Sequence, residues 1–120
     1  MTDRKQTLHL ENQDFTFLGK GSRFLGDWEL TGPSFIAGKM QGKITMHSDS
    51  PLTLEREGQF EGEFKGADFH LYGQFSGKIF STATVTIHTN AEIEGTIHAK
   101  NIVIQPGARA NIEAITGIVL

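Results

Sequence analysis

Short strand-like triplets that recur at nearly regular intervals constrain this chain more than any other feature. The last residue of each triplet is apolar and falls at position 17, 36, 54, 71, 87 or 104, so successive triplets are almost evenly spaced. Repeats of about this length are typical of solenoids, in which a unit buries its apolar face only against neighbouring units. The triplets are Phe15-Thr16-Phe17, Ser34-Phe35-Ile36, Leu52-Thr53-Leu54, Phe69-His70-Leu71, Val85-Thr86-Ile87 and Ile102-Val103-Ile104.

A second pattern, apolar-x-Gly-x-apolar, follows the triplets in the same phase. Five units carry it, centred on Gly26, Gly42, Gly62, Gly77 and Gly95. The sixth unit lacks the glycine and instead alternates small or apolar residues, namely Ala108, Ala110, Ile112 and Ala114. Both patterns have a period of two, which turns one face of a strand inward and the other outward. Together they predict an all-β, single-domain solenoid (a β-helix) of about six coils.

The unit length is consistent with stacked coils. About 17 residues at ~3.3 Å each form a loop of roughly 55 Å, and successive loops pair at ~4.8 Å. A β-barrel or sandwich would use hairpin turns such as Asn-Gly or Asp-Gly, and the sequence contains neither dipeptide. A hexapeptide β-helix would need a near-strict step of six, which the variable intervals disfavour. No window shows a sustained helical period, so we expect no helix.

Composition excludes several functional classes. The 120 residues suit one domain, and the absence of cysteine rules out disulfides, thiolate metal sites and a cysteine nucleophile. A net charge of -3 gives no general attraction to nucleic acid, so we expect no nucleic-acid partner. No apolar run approaches the ~20 residues of a membrane span.

The repeated glycine units, the Leu18-Gly19-Lys20-Gly21 opening and the late Ile104-Gln105-Pro106-Gly107-Ala108 segment resemble the bactofilin domain. The resemblance covers residues 15–114, between an N-terminal tail (1–14), which we expect to be flexible, and a short apolar segment (115–120). It implies a right-handed β-helix of roughly triangular cross-section. It also implies a cytoplasmic, cytoskeletal scaffold for cell-shape or cell-wall machinery, built from nucleotide-independent, non-polar filaments.

The resemblance further implies what such a protein contacts. The first partner is the chain itself, as a homopolymer, and cell-wall enzymes or inner-membrane proteins are further candidates. Family members often lie beneath the inner membrane through an N-terminal segment. Residues 1–7 contain Arg4 and Lys5 but no apolar anchor beyond Met1, and two basic residues contribute only ~1 kcal/mol each at an anionic surface. Direct membrane binding is therefore not expected, although a peripheral location remains open.

The two ends of the solenoid are the candidate polymerisation interfaces. An open β-helix leaves unpaired backbone groups and a slice of apolar core at each end, and repeat proteins that stay monomeric need polar caps there. No amphipathic cap helix is evident in the sequence. The alternative is that the terminal residues fold back and close the core. The candidate interface residues are Phe15, Phe17, Leu18, Phe24, Ile112, Ile115, Ile118, Val119 and Leu120.

The residues that could support chemistry have simpler structural interpretations. Alternation places His70 on the outer face, while His88 and His98 could approach each other across adjacent coils; no carboxylate spacing completes a metal site. Gly19-Lys20-Gly21-Ser22 lacks the upstream glycine of a phosphate loop and indicates a tight turn. Glu61 and Glu63 flank Gly62 as solvated charges. We therefore expect no enzyme activity, cofactor or metal; the alternative is a small solenoid carbohydrate-binding protein or acyltransferase-like enzyme.

Overall fold

The computed structural model describes residues 7–10 and 16–116, and its account of side chains covers residues 17–114. The described residues form thirteen β-strands and include no helix long and apolar enough to cross a membrane. The strands are β1 (Thr7–Leu10), β2 (Thr16–Leu18), β3 (Arg23–Leu30), β4 (Ser34–Ile36), β5 (Lys39–Met46), β6 (Leu52–Leu54), β7 (Gln59–Gly66), β8 (Phe69–Leu71), β9 (Gln74–Ser81), β10 (Thr84–Ile87), β11 (Glu92–Ala99), β12 (Asn101–Ile104) and β13 (Arg109–Thr116).

The strands form two parallel sheets, and each strand pairs with the strand two places along the chain. The seven-stranded sheet has the order β1-β3-β5-β7-β9-β11-β13, and the six-stranded sheet has the order β12-β10-β8-β6-β4-β2. A short strand and the long strand after it make one coil, from β2 with β3 to β12 with β13. The prediction of an all-β solenoid of about six coils is confirmed.

Both predicted flanking segments contribute to the seven-stranded sheet. Strand β1, which lies within the predicted tail 1–14, pairs with the second half of β3 in the register Thr7↔Asp27 to Leu10↔Leu30. Strand β13 extends past residue 114 to Thr116 and pairs with β11 throughout. The rest of both flanking segments, together with Phe15, lies outside the described residues, which omit 1–6, 11–15 and 117–120.

Inward residues of successive coils stack in columns along the solenoid. The end of each short strand supplies one column, in the order Leu18, Ile36, Leu54, Leu71, Ile87 and Ile104. The prediction that Phe17 heads this column is wrong. In the register, Phe17 pairs with Phe35 in the outward column and is 57% exposed. Leu18 is the residue that continues the apolar column, so the first unit starts one residue later than predicted.

The repeated glycines form a second column in the long strands. Gly26, Gly42, Gly62, Gly77 and Gly95 are register partners, with φ between 135° and 145°. Residues with a Cβ rarely adopt such angles. A Cβ on Gly62 would lie 1.8 Å from the carbonyl oxygen of Gly42, and the same clash recurs along the column. The glycines therefore permit close backbone contact between coils.

Ile112 occupies the glycine column in β13, opposite Gly95. Ile112 does not have a positive φ, since Asn90 is the only described residue other than glycine that does. The backbone conformation of the last coil therefore differs from that of the other five. This difference matches the missing glycine of the sixth sequence unit.

Phenylalanine fills the middle of the core. Phe60, Phe64, Phe69 and Phe75 are almost completely buried, and their rings meet in tilted or edge-to-face pairs with centroids 4.8–5.7 Å apart. Aromatic pairs prefer such offset arrangements to face-to-face stacking. Four of the nine Phe residues thus fill the core, where rings from neighbouring coils interlock.

Asn90, in the turn before β11, provides a test of local backbone conformation. Its φ of 72° lies in the left-handed region, where asparagine is tolerated and alanine costs about 1–2 kcal/mol. We expect Asn90→Ala to lower the free energy of unfolding by about 1 kcal/mol and Asn90→Gly to leave it nearly unchanged. Urea unfolding followed by circular dichroism measures both. Equal losses in the two variants would contradict the backbone explanation.

Candidate assembly surfaces at the two ends of the solenoid

The C-terminal end of the solenoid exposes a slice of its core. In the column formed by the ends of the short strands, Ile36, Leu54, Leu71 and Ile87 are 0% exposed, whereas Ile104 is 48% exposed. All five residues are Leu or Ile, and each is the register partner of the next one in the column. The difference arises because no described strand pairs with the outer edge of β12.

Inward-facing side chains of the long strands also become exposed at this end. Ile93 and Ile97 in β11 are buried, but their register partners in β13, Ala110 and Ala114, are exposed. No described strand pairs with the outer edge of β13. The last coil therefore presents apolar side chains together with strand edges that can accept further pairing.

The N-terminal end is partly covered. Strand β1 lies along the second half of β3, where Trp28 and Leu30 are buried. The first half of β3 has no described partner on that side, and Phe24 is half-buried, with its ring centroid 5.0 Å from that of Trp28. The indole Nε1 of Trp28 is buried, and no described residue gives it a hydrogen-bond partner. Among the described residues, the second half of β3 is therefore covered, whereas its first half and the outer edge of β2 have no strand partner.

The predicted interface residues fall into three groups. Leu18, Phe24 and Ile112 are half-buried residues that pack against the core at its ends, as expected for members of a terminal coil. Phe17 lies on the edge strand β2 but faces outward. Ile115 lies in β13 opposite His98, and Phe15, Ile118, Val119 and Leu120 lie outside the described residues. Their part in an interface stays a prediction.

Ile104 is not among the interface residues predicted from the sequence, although the repeat pattern indicates that it lies at the exposed end. It is the last residue of the last triplet, and its counterparts in the inner coils are covered by the next coil. Applying the stacking rule to the final repeat would have identified it, because its column has no further described member. The apolar residues at positions 115–120 gave the more conspicuous sequence signal at this end.

The prediction that His88 and His98 approach each other is wrong. His88 lies beside His70, with His70 Nδ1 3.3 Å from His88 Nε2, while His98 stacks on Phe80 with ring centroids 5.0 Å apart. The cause is the register. His70 pairs with Thr86, two positions before His88, whereas His98 pairs with Phe80 in the other sheet.

His88 sits between the side chains of neighbouring coils. The Tyr72 ring stacks on it almost in parallel, at an interplanar angle of 7° and a centroid distance of 4.0 Å. Burial of the ring lowers the pKa of His88 below 6.5, the adjacent His70 lowers it further, and a hydrogen bond with the Gln105 side chain opposes these effects. The neutral form of the His88 imidazole is therefore favoured by its surroundings.

The other residues that could have supported metal binding, phosphate binding or catalysis lie in turns or on the exposed surface. Within the described ranges, no three His, Asp or Glu side chains gather in a group that could hold a metal ion. Gly19 and Ser22 close the predicted tight turn through a 3.0 Å hydrogen bond that the Ser22 N–H donates to the Gly19 carbonyl oxygen. Glu61 is exposed and accepts a hydrogen bond of 2.7 Å from the Gln41 side chain.

A groove of about 1040 Å³, lined by polar and apolar residues alike, crosses the first halves of the long strands, from residues 23–25 to residues 109–111. Gln41 and Glu61 lie on one side of it, and Gln59 and Gln74 lie on the other. Because every coil contributes equivalent positions, the groove follows the solenoid axis. Its shape suits an extended rather than a compact ligand.

Comparison with known proteins agrees with the geometry of the repeats. The bactofilin family model, described as polymer-forming cytoskeletal, matches residues 16–114. Bactofilin BacO of Myxococcus xanthus (strain DK1622) is 29% identical over 90 residues, which cover 73% of this chain and 70% of that protein. No solved structure matches the chain. Six in-phase parallel coils and a family match over most of the sequence show that the chain belongs to the bactofilin family of polymer-forming cytoskeletal proteins.

Proposed function

We propose that this chain assembles end to end into filaments without nucleotide, and that these filaments act as a cytoskeletal scaffold. The observation that carries the proposal is the sudden exposure of the apolar column at Ile104 after four fully buried members. Burying such a surface stabilises association by about 25 cal/mol per Å² of apolar area. The free edges of β12 and β13 add backbone hydrogen-bonding groups to the same surface.

The form of the molecule supports assembly along the solenoid axis. Repeat proteins bury their core only between neighbouring units, so an uncovered terminal coil is completed by another solenoid end. The bactofilin family is a polymer-forming, structural one, which supports a non-enzymatic role. The two ends differ in the described residues, because β1 covers part of the N-terminal end and no described strand covers the C-terminal end.

Electron microscopy of the purified chain tests this proposal. We expect negatively stained filaments about as wide as the solenoid, whose two shorter extents are 26 and 25 Å, with and without added ATP or GTP. Sedimentation of the protein should be equally independent of nucleotide. A monodisperse monomer at micromolar concentration, or assembly that requires nucleotide, would refute the proposal.

The cellular role is a further part of this proposal. A filament presents the same outward side chains many times along its length, which raises the avidity for partners that are themselves clustered. Cell-wall enzymes and inner-membrane proteins are the partners we propose, with the filament in the cytoplasm or peripheral to the inner membrane. A fluorescent fusion that stays diffuse in cells while the purified protein polymerises would contradict the scaffold role.

Carbohydrate binding is a second candidate, favoured by the amide and carboxylate side chains along the groove in the long strands. Its amide and carboxylate side chains, including Gln41, Gln59, Gln74 and Glu61, are groups that hydrogen-bond sugar hydroxyls. We expect Gln59→Ala to weaken any binding of soluble glycan fragments measured by calorimetry, since this side chain lines the middle of the groove. The absence of binding by the unmodified chain would remove this candidate without affecting the polymer proposal.

A further inference from the structure

The two histidines that meet on adjacent coils, His70 and His88, form a pair that polymerisation does not explain. His70 projects from the six-stranded sheet, and His88 follows β10 at the next corner. Both side chains are half-buried, so they remain accessible to small solutes. Their facing atoms, His70 Nδ1 and His88 Nε2, are ring nitrogens, which are common ligands of transition metals.

The surroundings of His88 orient its ring. Since Nε2 faces His70, Nδ1 is the ring atom left for the hydrogen bond with Gln105. The Gln105 amide oxygen also accepts a hydrogen bond of 3.3 Å from the backbone N–H of Thr89, the residue after His88. Tyr72 stacks on the ring from the preceding coil. A hydrogen bond from the second ring nitrogen to a carbonyl oxygen is the arrangement that usually orients a metal-binding histidine.

We propose that His70 Nδ1 and His88 Nε2 bind one divalent transition-metal ion of the Zn²⁺ or Ni²⁺ class and thereby link the fourth and fifth coils. The separation of the two nitrogens supports this proposal. Zinc lies about 2.0–2.1 Å from each histidine nitrogen, so two nitrogens at a tetrahedral angle lie about 3.3–3.4 Å apart. The observed distance is 3.3 Å, and the ring centroids lie 5.6 Å apart, so a small tilt of the two rings would turn both lone pairs toward one ion.

Metal binding needs a lone pair on both facing nitrogens. In the hydrogen-bonded pair one of these nitrogens carries a proton, and Gln105 favours the His88 tautomer whose Nε2 is unprotonated. Coordination through His70 Nδ1 requires the His70 tautomer whose proton is on Nε2. Water completes the coordination of the ion. A site with two protein ligands binds more weakly than a structural zinc site with four.

Titration of the untagged, chelator-treated full chain with Zn²⁺ tests the proposal. Calorimetry should show one saturable site, and nitrogen-15 spectra should show coordination shifts at His70 Nδ1 and His88 Nε2. His70→Ala and His88→Ala should each abolish saturable binding. Gln105→Leu should weaken it by about 10–100-fold, the usual effect of losing an orienting partner.

His98→Ala is the matched control. His98 also stacks on an aromatic ring across adjacent coils, but it lies in the other sheet. This variant should bind Zn²⁺ like the unmodified chain, and circular dichroism should show that every variant keeps its fold. The proposal is overturned if the unmodified chain shows no saturable site, or if His70→Ala and His88→Ala bind as tightly as His98→Ala does.

Discussion

Filaments should be lost when Ile104 is replaced by lysine. In the isolated chain, Ile104 is 48% exposed, so a lysine there extends its ammonium group into water and the fold is retained. In an end-to-end joint, the same group would be buried without a partner, which costs several kcal/mol. That cost weakens the association constant of each joint by at least about a hundredfold. Negative-stain microscopy and sedimentation should show only monomers and small oligomers.

Val103→Lys is the control for this experiment. Val103 is the neighbouring residue, with a similar exposure of 46%, but it belongs to the outward column with Thr86 and His70. Its side chain therefore faces the flank of the solenoid instead of its end. We expect Val103→Lys to polymerise like the unmodified chain. Loss of filaments in both variants, or in neither, would mean that the joint does not involve the exposed core.

Replacement of Gly62 by alanine should strongly destabilise the solenoid. The added Cβ would lie 1.8 Å from the Gly42 carbonyl oxygen, and alanine would have to adopt a φ of 140°. The φ alone costs about 1–3 kcal/mol, and relief of the clash requires separating two coils. We expect a loss of at least about 3 kcal/mol in the free energy of unfolding. Urea titration monitored by the fluorescence of Trp28, the single tryptophan, measures it.

Gly21→Ala separates the cost of a positive φ from the cost of the clash between coils. Gly21 has a φ of 87°, and a Cβ there would meet no atom within 4 Å. This variant therefore reports the conformational cost without the clash. We expect its loss to be about 1–3 kcal/mol and clearly smaller than that of Gly62→Ala. Equal losses would show that contact between the coils is not what requires glycine in the column.

Much of the fold could be predicted because the repeat is visible as a local periodicity of the sequence. Alternation with a period of two identifies inward positions such as Phe60 and Phe64, and the repeated glycines mark equivalent places in five coils. The sequence did not determine which residues of the first unit face inward. Phe15, Phe17 and Leu18 are all apolar, so alternation allowed two registers, and pairing with β4 selected the one that turns Leu18 inward.

The candidate sites depended on relations that local sequence does not contain. The His70–His88 pair arises because the pairing of β8 with β10 sets Thr86 opposite His70, which places His88 two positions beyond that partner. A change of one residue in the length of that coil would move His88 to another position. The spacing between repeats varies along this chain, so contacts between coils could not be deduced from spacing alone.

The sequence by itself determined that the chain is a solenoid of about six β coils. Period-two alternation and in-phase repeats leave few other ways to bury the apolar residues, since each unit can cover its face only with the next. The tertiary structure alone decided the register between coils, the partial cover that β1 gives to the N-terminal end, and the exposure of Ile104. These features depend on which backbone groups pair between strands that are distant in the sequence, and on where that pairing stops.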